Sequence, residues 1–281
     1  MPPQKAIAKN ASFETVLYSA VKIPGIKINR DNFLQKELSR YFNRSVVRKA
    51  IETNPAQAGI SQEHLEKIAK ACINFETTKV TAISSAAGIP GGLAIAATIP
   101  ADIAQFFGHI IRILQKLAYL YGWQEIFQNN NFNLDDNLDD ETFTELTLFI
   151  GVMFGVHAAN AAISKIANSA ATKVEKTLIR TALTKGTIYP IVKKVAASIG
   201  IKMNKEIFAK SIGKMIPGIG AILSGGVSFF SFKPMAKRLQ NYLVTLPMAN
   251  IDFYAISHDN DINVDFSDIV IDVDDFNIAA D

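Results

Sequence analysis

Apolar residues recur at steps of three and four through most of the first 250 positions, and the two-residue alternation of a strand is nearly absent there. The stretch DNFLQKELSRYF places Phe33, Leu34, Leu38, Tyr41 and Phe42 on one helix face. SVVRKAIET and SQEHLEKIAKACINF continue the helical spacing, with Ser45 and Ser61 in N-cap position and the loop TNPAQAG between them, marked by Pro55 and Gly59. Further on, ADIAQFFGHIIRILQKLAYLYGW is amphipathic. Asp102, Gln105, His109, Arg112 and Lys116 form one polar stripe, which reads as a solvated face or the lining of a polar cavity. Gly122 is its natural stop.

Three segments carry no charge at all: 80–101, 146–164 and 215–232. The first, at 22 residues, has the length of a bilayer span but not the composition of a simple one. Gly88, Pro90, Gly91 and Gly92 break it in two, because Pro90 removes a backbone donor and the glycines lower helix propensity. Pro100 then suits the start of the next helix, with Asp102 near the positive end of its dipole. Two such half-length pieces make a buried helical hairpin or a re-entrant membrane element. In the second segment, Gly151 and Gly155 read as a small-residue pair on one helix face that admits a close neighbour. Thr142 and Glu145 before it have capping-box spacing, and His157 inside it reads as a core histidine. The third segment holds Pro217, Gly218 and three more glycines, and the helix after it, KPMAKRLQNYL, is expected to carry Pro234 in its first turn.

The pattern therefore predicts an all-α protein. It is a multi-helix bundle with Gly/Pro-broken apolar hairpins, divided into an N-terminal extension (1–13), a helical domain (14–250) and an acidic tail (251–281). Asp alternates with Ile, Val and Phe in that tail, which predicts disorder or a strand that forms only when docked.

Charge sharpens this picture. The net charge of +3 conceals nine Asp and no Lys or Arg in 251–281, so the first 250 residues hold 29 basic against 17 acidic side chains. The densest basic stretch, 165–214, has ten Lys and one Arg against Glu175 and Glu206. Such a block attracts a polyanion. With Tyr189 and Phe208 as its only aromatics, it suits an anionic lipid surface better than nucleic acid. Lys173, Lys176, Arg180, Lys193 and Lys194 are the candidate head-group ligands. The single cysteine, Cys72, excludes a disulfide framework and a cysteine zinc site. The start MPPQKAIAKNASFETV has no apolar stretch of signal-peptide length, so the expected location is the cytoplasm, peripheral to the inner face of the cytoplasmic membrane.

Three pieces in order, AAGIPGGLAIAATIPADIAQFF, LAYLYGW and GKMIPGIGAILSGGVSFFSFKPMAKRLQNYL, resemble the EcsC family of bacterial proteins. In this chain they fall at 86–107, Tyr121 with Gly122, and 214–243, and the similarity spans residues 14–245. The resemblance implies a helical fold and a link to ABC-transporter and envelope processes. It brings no catalytic motif, no cofactor and no metal.

The residues themselves point away from an enzyme. The four histidines are scattered, and no phosphate-binding, nucleophile-elbow or zinc-protease fingerprint is present. Asp102 and His109 share a helix face but stand about 10 Å apart along the axis, too far for a dyad. The acidic run with Asp135, Asp136, Asp139, Asp140 and Glu141 lacks the turn glycine and alternation of a calcium loop. The leading expectation is thus a non-enzymatic protein binding anionic lipid. The alternatives are a soluble scaffold whose acidic tail binds a protein partner, and an enzyme acting on lipid or envelope components.

Overall fold

The computed structural model describes residues 13–85, 101–127, 138–171, 192–199 and 220–259. Gly88, Pro90, Gly91, Gly92, Pro100, Lys173, Lys176, Arg180, Pro217 and Gly218 lie outside these residues, as do Asp135 and Asp136. All regular structure among the described residues is helical. The elements are α1 (Phe13–Val21), α2 (Arg30–Leu38), α3 (Arg44–Glu52), α4 (Gln62–Ser85), α5 (Ala101–Leu120), α6 (Asp140–Met153) and α7 (His157–Ala171). They are followed by α8 (192–199), α9 (Gly220–Leu243), a 3-10 turn (Pro247–Ala249) and α10 (Ile251–Asp259).

Helix α5 is central. Ile110, Ile111, Ile113, Leu114, Leu117 and Leu120 are wholly buried, so apolar residues cover more of its circumference than a single stripe, and α1, α2, α4, α6 and α9 pack around it. Its end is fixed by Gly122 (φ +98°). The Gly122 amide donates to the Tyr119 carbonyl and the Trp123 amide to that of Ala118, the paired bonds of a Schellman stop. A methyl group on Gly122 would lie 2.9 Å from the Met248 carbonyl oxygen, so the glycine also lets the 3-10 turn lie flat against this corner.

The same device divides the second uncharged segment. Gly155 (φ +71°) ends α6, with the Val156 amide donating to the Gly151 carbonyl, and α7 returns from His157. The two glycines therefore do not share one helix face as the spacing suggests: Gly155 is the turn. Gly151 alone is the close-approach site, where a Cβ would meet Val195 at 2.6 Å and Ala159 at 2.7 Å. His157 opens α7 and is exposed instead of buried in a core.

Other local expectations shift by a few residues. Helix α3 is capped by Asn43, whose Oδ1 accepts from the Ser45 and Val46 amides, so Ser45 is capped and does not cap. Asp139 caps α6 by accepting from the Thr142 amide and hydroxyl, three residues before the anticipated start, and Asp140 and Glu141 occupy the first turn. Ser61 does sit just before α4, with its hydroxyl 2.7 Å from His64 Nδ1. Helix α2 stops at Leu38, leaving Tyr41 in solvent. Pro234 lies deep inside α9, not in a first turn, because packing against α4, α5 and α6 carries the helix through the lost backbone bond.

The tail also begins differently from its expected disorder or strand. Residues Ile251–Asp259 are helical: Asn250 accepts from the Asp252 amide, Phe253 packs on the core, and the Tyr254 hydroxyl receives the Asn54 Nδ2 donor at 2.7 Å. The Asp-rich alternation sets in after this helix, which is why its composition misled about the first nine positions.

Candidate functional site

Only part of the polar stripe of α5 is a solvated face. His109, Arg112 and Lys116 lie at i, i+3 and i+7 and converge on Glu76, a fully buried carboxylate of α4. Lys116 Nζ donates to Oε1 at 2.6 Å and Arg112 Nε to the same oxygen at 3.3 Å, while His109 Nδ1 lies 3.2 Å from Oε2. An ionised carboxylate only accepts, so this His109 contact puts the proton on Nδ1. Burial on its own would raise the Glu76 pKa. The hydrogen bonds from His109 and Lys116, and the charges of Lys116 and Arg112, more than reverse it and hold the group at about 2.

Two side chains of α5, Arg112 and Gln115, tie this helix to the α1–α2 connection. Arg112 Nη1 donates to the Gly25 carbonyl. Gln115, wholly buried, accepts from the Ile28 amide at 2.8 Å and donates to the Ile26 carbonyl at 2.8 Å, satisfying an irregular backbone that has no helical partners. Gln105, in contrast, is exposed and takes no part, and the Asp102 side chain lies outside the described residues.

A second polar anchor sits at the opposite end of α5. Arg30, 3% exposed, donates to the carbonyls of Trp123 (3.0 Å), Ile51 (2.8 Å) and Thr53 (3.0 Å), joining α2 to the end of α3 and the turn after α5. Glu125 accepts from the Arg30 amide at 2.7 Å and the Tyr119 hydroxyl at 2.8 Å. Burial and the neighbouring Glu125 charge push the Tyr119 pKa above its ordinary range. Cys72 is likewise closed off: burial raises its thiol to about 12, leaving no thiolate nucleophile near neutral pH. Every hydrogen-bonding group named in these two anchors is engaged by the chain itself.

Of the candidate lipid ligands, Lys193 and Lys194 are described. Both are exposed on α8, whose Val192, Val195 and Ile199 are buried against the body, with Val195 close to Gly151.

Glu76 and Arg30 escaped the sequence reading. Each looks like an ordinary solvated charge in a helical pattern. A weak signal existed for Glu76: in IAKACINFETTKV it falls on the row of Leu65, Ile68, Cys72, Ile73 and Val80, the apolar side of α4.

Comparisons with protein-family models, with curated proteins and with solved structures returned no match to this chain.

Proposed function

We propose that this chain is a non-enzymatic, membrane-associated helical protein that binds anionic lipid through a basic helical face. The observation that carries the reading is α8, where Lys193 and Lys194 are both exposed while Val192, Val195 and Ile199 are buried, with Val195 close to Gly151 of α6. These two lysines belong to the stretch 165–214, which holds eleven basic side chains against two acidic ones. A lysine close to an anionic bilayer contributes about 1 kcal/mol. Among the described residues, no helix is long and apolar enough to cross a membrane.

The non-enzymatic part of the reading is supported by how the buried titratable groups of α4 and α5 are engaged. Glu76 has no accessible surface, His109 faces Glu76, and Cys72 is held protonated by burial. The ordered motifs that resemble EcsC proteins lean in the same direction, toward an envelope-linked helical protein.

Co-sedimentation with vesicles of mixed phosphatidylglycerol and phosphatidylcholine tests the α8 face. The Lys193→Glu/Lys194→Glu variant is expected to bind at least roughly 25-fold more weakly than the wild type. Unchanged binding by a folded variant would remove α8 from the lipid-binding surface.

A further inference from the structure

Two large apolar side chains stand out in solvent among the described residues: Tyr41, 45% exposed, and Phe75, 53% exposed. Each stands beside a lysine of α4. Lys67 Nζ lies 5.7 Å from the centroid of the Tyr41 ring, and Lys79 Nζ lies 4.8 Å from that of Phe75. Lys116, already bound to Glu76, sits 5.2 Å from the same Phe75 ring.

From Lys67 to Lys79 the exposed charges of α4 are all lysines, with Glu63 and Glu66 on the turn before. Between positions 67 and 79 the outer side of α4 presents Lys67, Lys70, Ala71, Asn74, Phe75, Thr78 and Lys79. The one acidic residue in that stretch, Glu76, points inward and is neutralised by its three partners. The cluster around Glu76 thus does more than join two helices. It draws the one carboxylate of this stretch inward, away from the lysines, and fixes Lys116 beside the Phe75 ring.

We infer that the outer half of α4, with Tyr41 beside it, is a second membrane-contact face, in which Phe75 and Tyr41 enter the head-group boundary while Lys67, Lys70 and Lys79 meet lipid phosphates. The inference rests on the anionic-bilayer reading above but on different residues. Aromatic rings favour the boundary between head groups and acyl chains, and lysines at that depth keep their ammonium groups in the phosphate layer. Single-stranded nucleic acid also uses aromatics beside basic residues, but it stacks bases on open ring faces. Here ammonium groups sit over both rings, so the arrangement favours lipid.

The chain's single tryptophan, Trp123, is buried at 5% exposure, so a Phe75→Trp variant of the full chain adds one reporter in a different environment. The variant and the wild type are mixed with phosphatidylglycerol vesicles carrying bromine on the acyl chains, and the same samples are floated on a density gradient. The inference predicts that the emission gained by Phe75→Trp moves to shorter wavelength and is quenched by the bromolipid, while wild-type emission is unchanged. It also predicts that Lys67→Gln/Lys79→Gln lowers vesicle affinity by roughly 25-fold with an unaltered circular dichroism spectrum. Protein that floats with an unshifted, unquenched reporter overturns the α4 face and leaves the α8 reading standing. Wild-type protein that does not float overturns both. Quenching by a single-stranded oligonucleotide but not by vesicles assigns the face to nucleic acid and overturns the inference.

Discussion

The Lys116 ammonium meets the Glu76 carboxylate at 2.6 Å, and neither is on the surface: Glu76 is wholly buried and the Lys116 side chain is 10% exposed. Two helices separated in sequence by an uncharged, glycine- and proline-rich segment are thereby held in one register by charge as well as by packing. An apolar interface tolerates sliding by small steps, whereas a buried carboxylate with three directed donors does not. The pair is best regarded as a specificity device, because breaking a buried ion pair is costly even where an apolar replacement of the whole set is not.

Removing the charge while keeping the shape isolates that cost. Glu76→Gln leaves Lys116 and Arg112 without their counter-ion, and unfolding in urea at pH 7 is expected to show a loss of about 3–5 kcal/mol. A loss under about 1 kcal/mol, the size of a surface ion pair, would show that the cluster is solvated in solution.

Acid reads out the same group. The Glu76 carboxyl titrates near 2 in the folded protein against an ordinary 4.5, so the folded state favours the ionised form. Its contribution, about 3 kcal/mol, is fully present above the unfolded value and is lost as pH falls from about 4.5 towards 2. Comparing urea unfolding at pH 7 and pH 2.5 in the wild type and in Glu76→Gln, the wild type is expected to lose more stability by roughly this amount. Equal losses in the two proteins would place the acid sensitivity elsewhere.

The corner after α5 makes a steric prediction. Gly122→Ala meets two obstacles, a left-handed backbone and the Met248 carbonyl oxygen 2.9 Å from the new methyl group. Backbone atoms cannot rotate aside, so thermal unfolding is expected to show a loss on the order of 2 kcal/mol or more. Gly59→Ala is the control. Gly59 also has a positive φ (+86°) but nothing within 4 Å of the added carbon, and it is expected to lose less.

These features divide by how far along the chain their causes lie. The helical class, the α5 stop at Gly122 and the start of α4 after Ser61 were legible, because periodicity and a glycine act within one or two turns. The α6 start was misplaced because Asp139 and Thr142 are both good caps, and the Thr142 amide and hydroxyl are both taken up by Asp139. Gly155 was legible as a small residue but not as a turn. Whether a glycine in an apolar run packs or turns depends on Arg238, whose Nη1 donates to the Met153 carbonyl from α9, far along the chain. The site was the least legible part. His109, Arg112 and Lys116 were identified as a row, but their burial is set by Glu76, 33 to 40 positions earlier, and nothing in local spacing distinguishes a buried carboxylate from a solvated one.

The most direct test of the functional account is equilibrium binding of the full chain to phosphatidylglycerol vesicles and to phosphatidylcholine vesicles over a series of salt concentrations. The account predicts binding to the anionic vesicles alone, weakening steadily as salt screens the lysines. Equal recovery on both lipids, or no recovery on either at low salt, would contradict it.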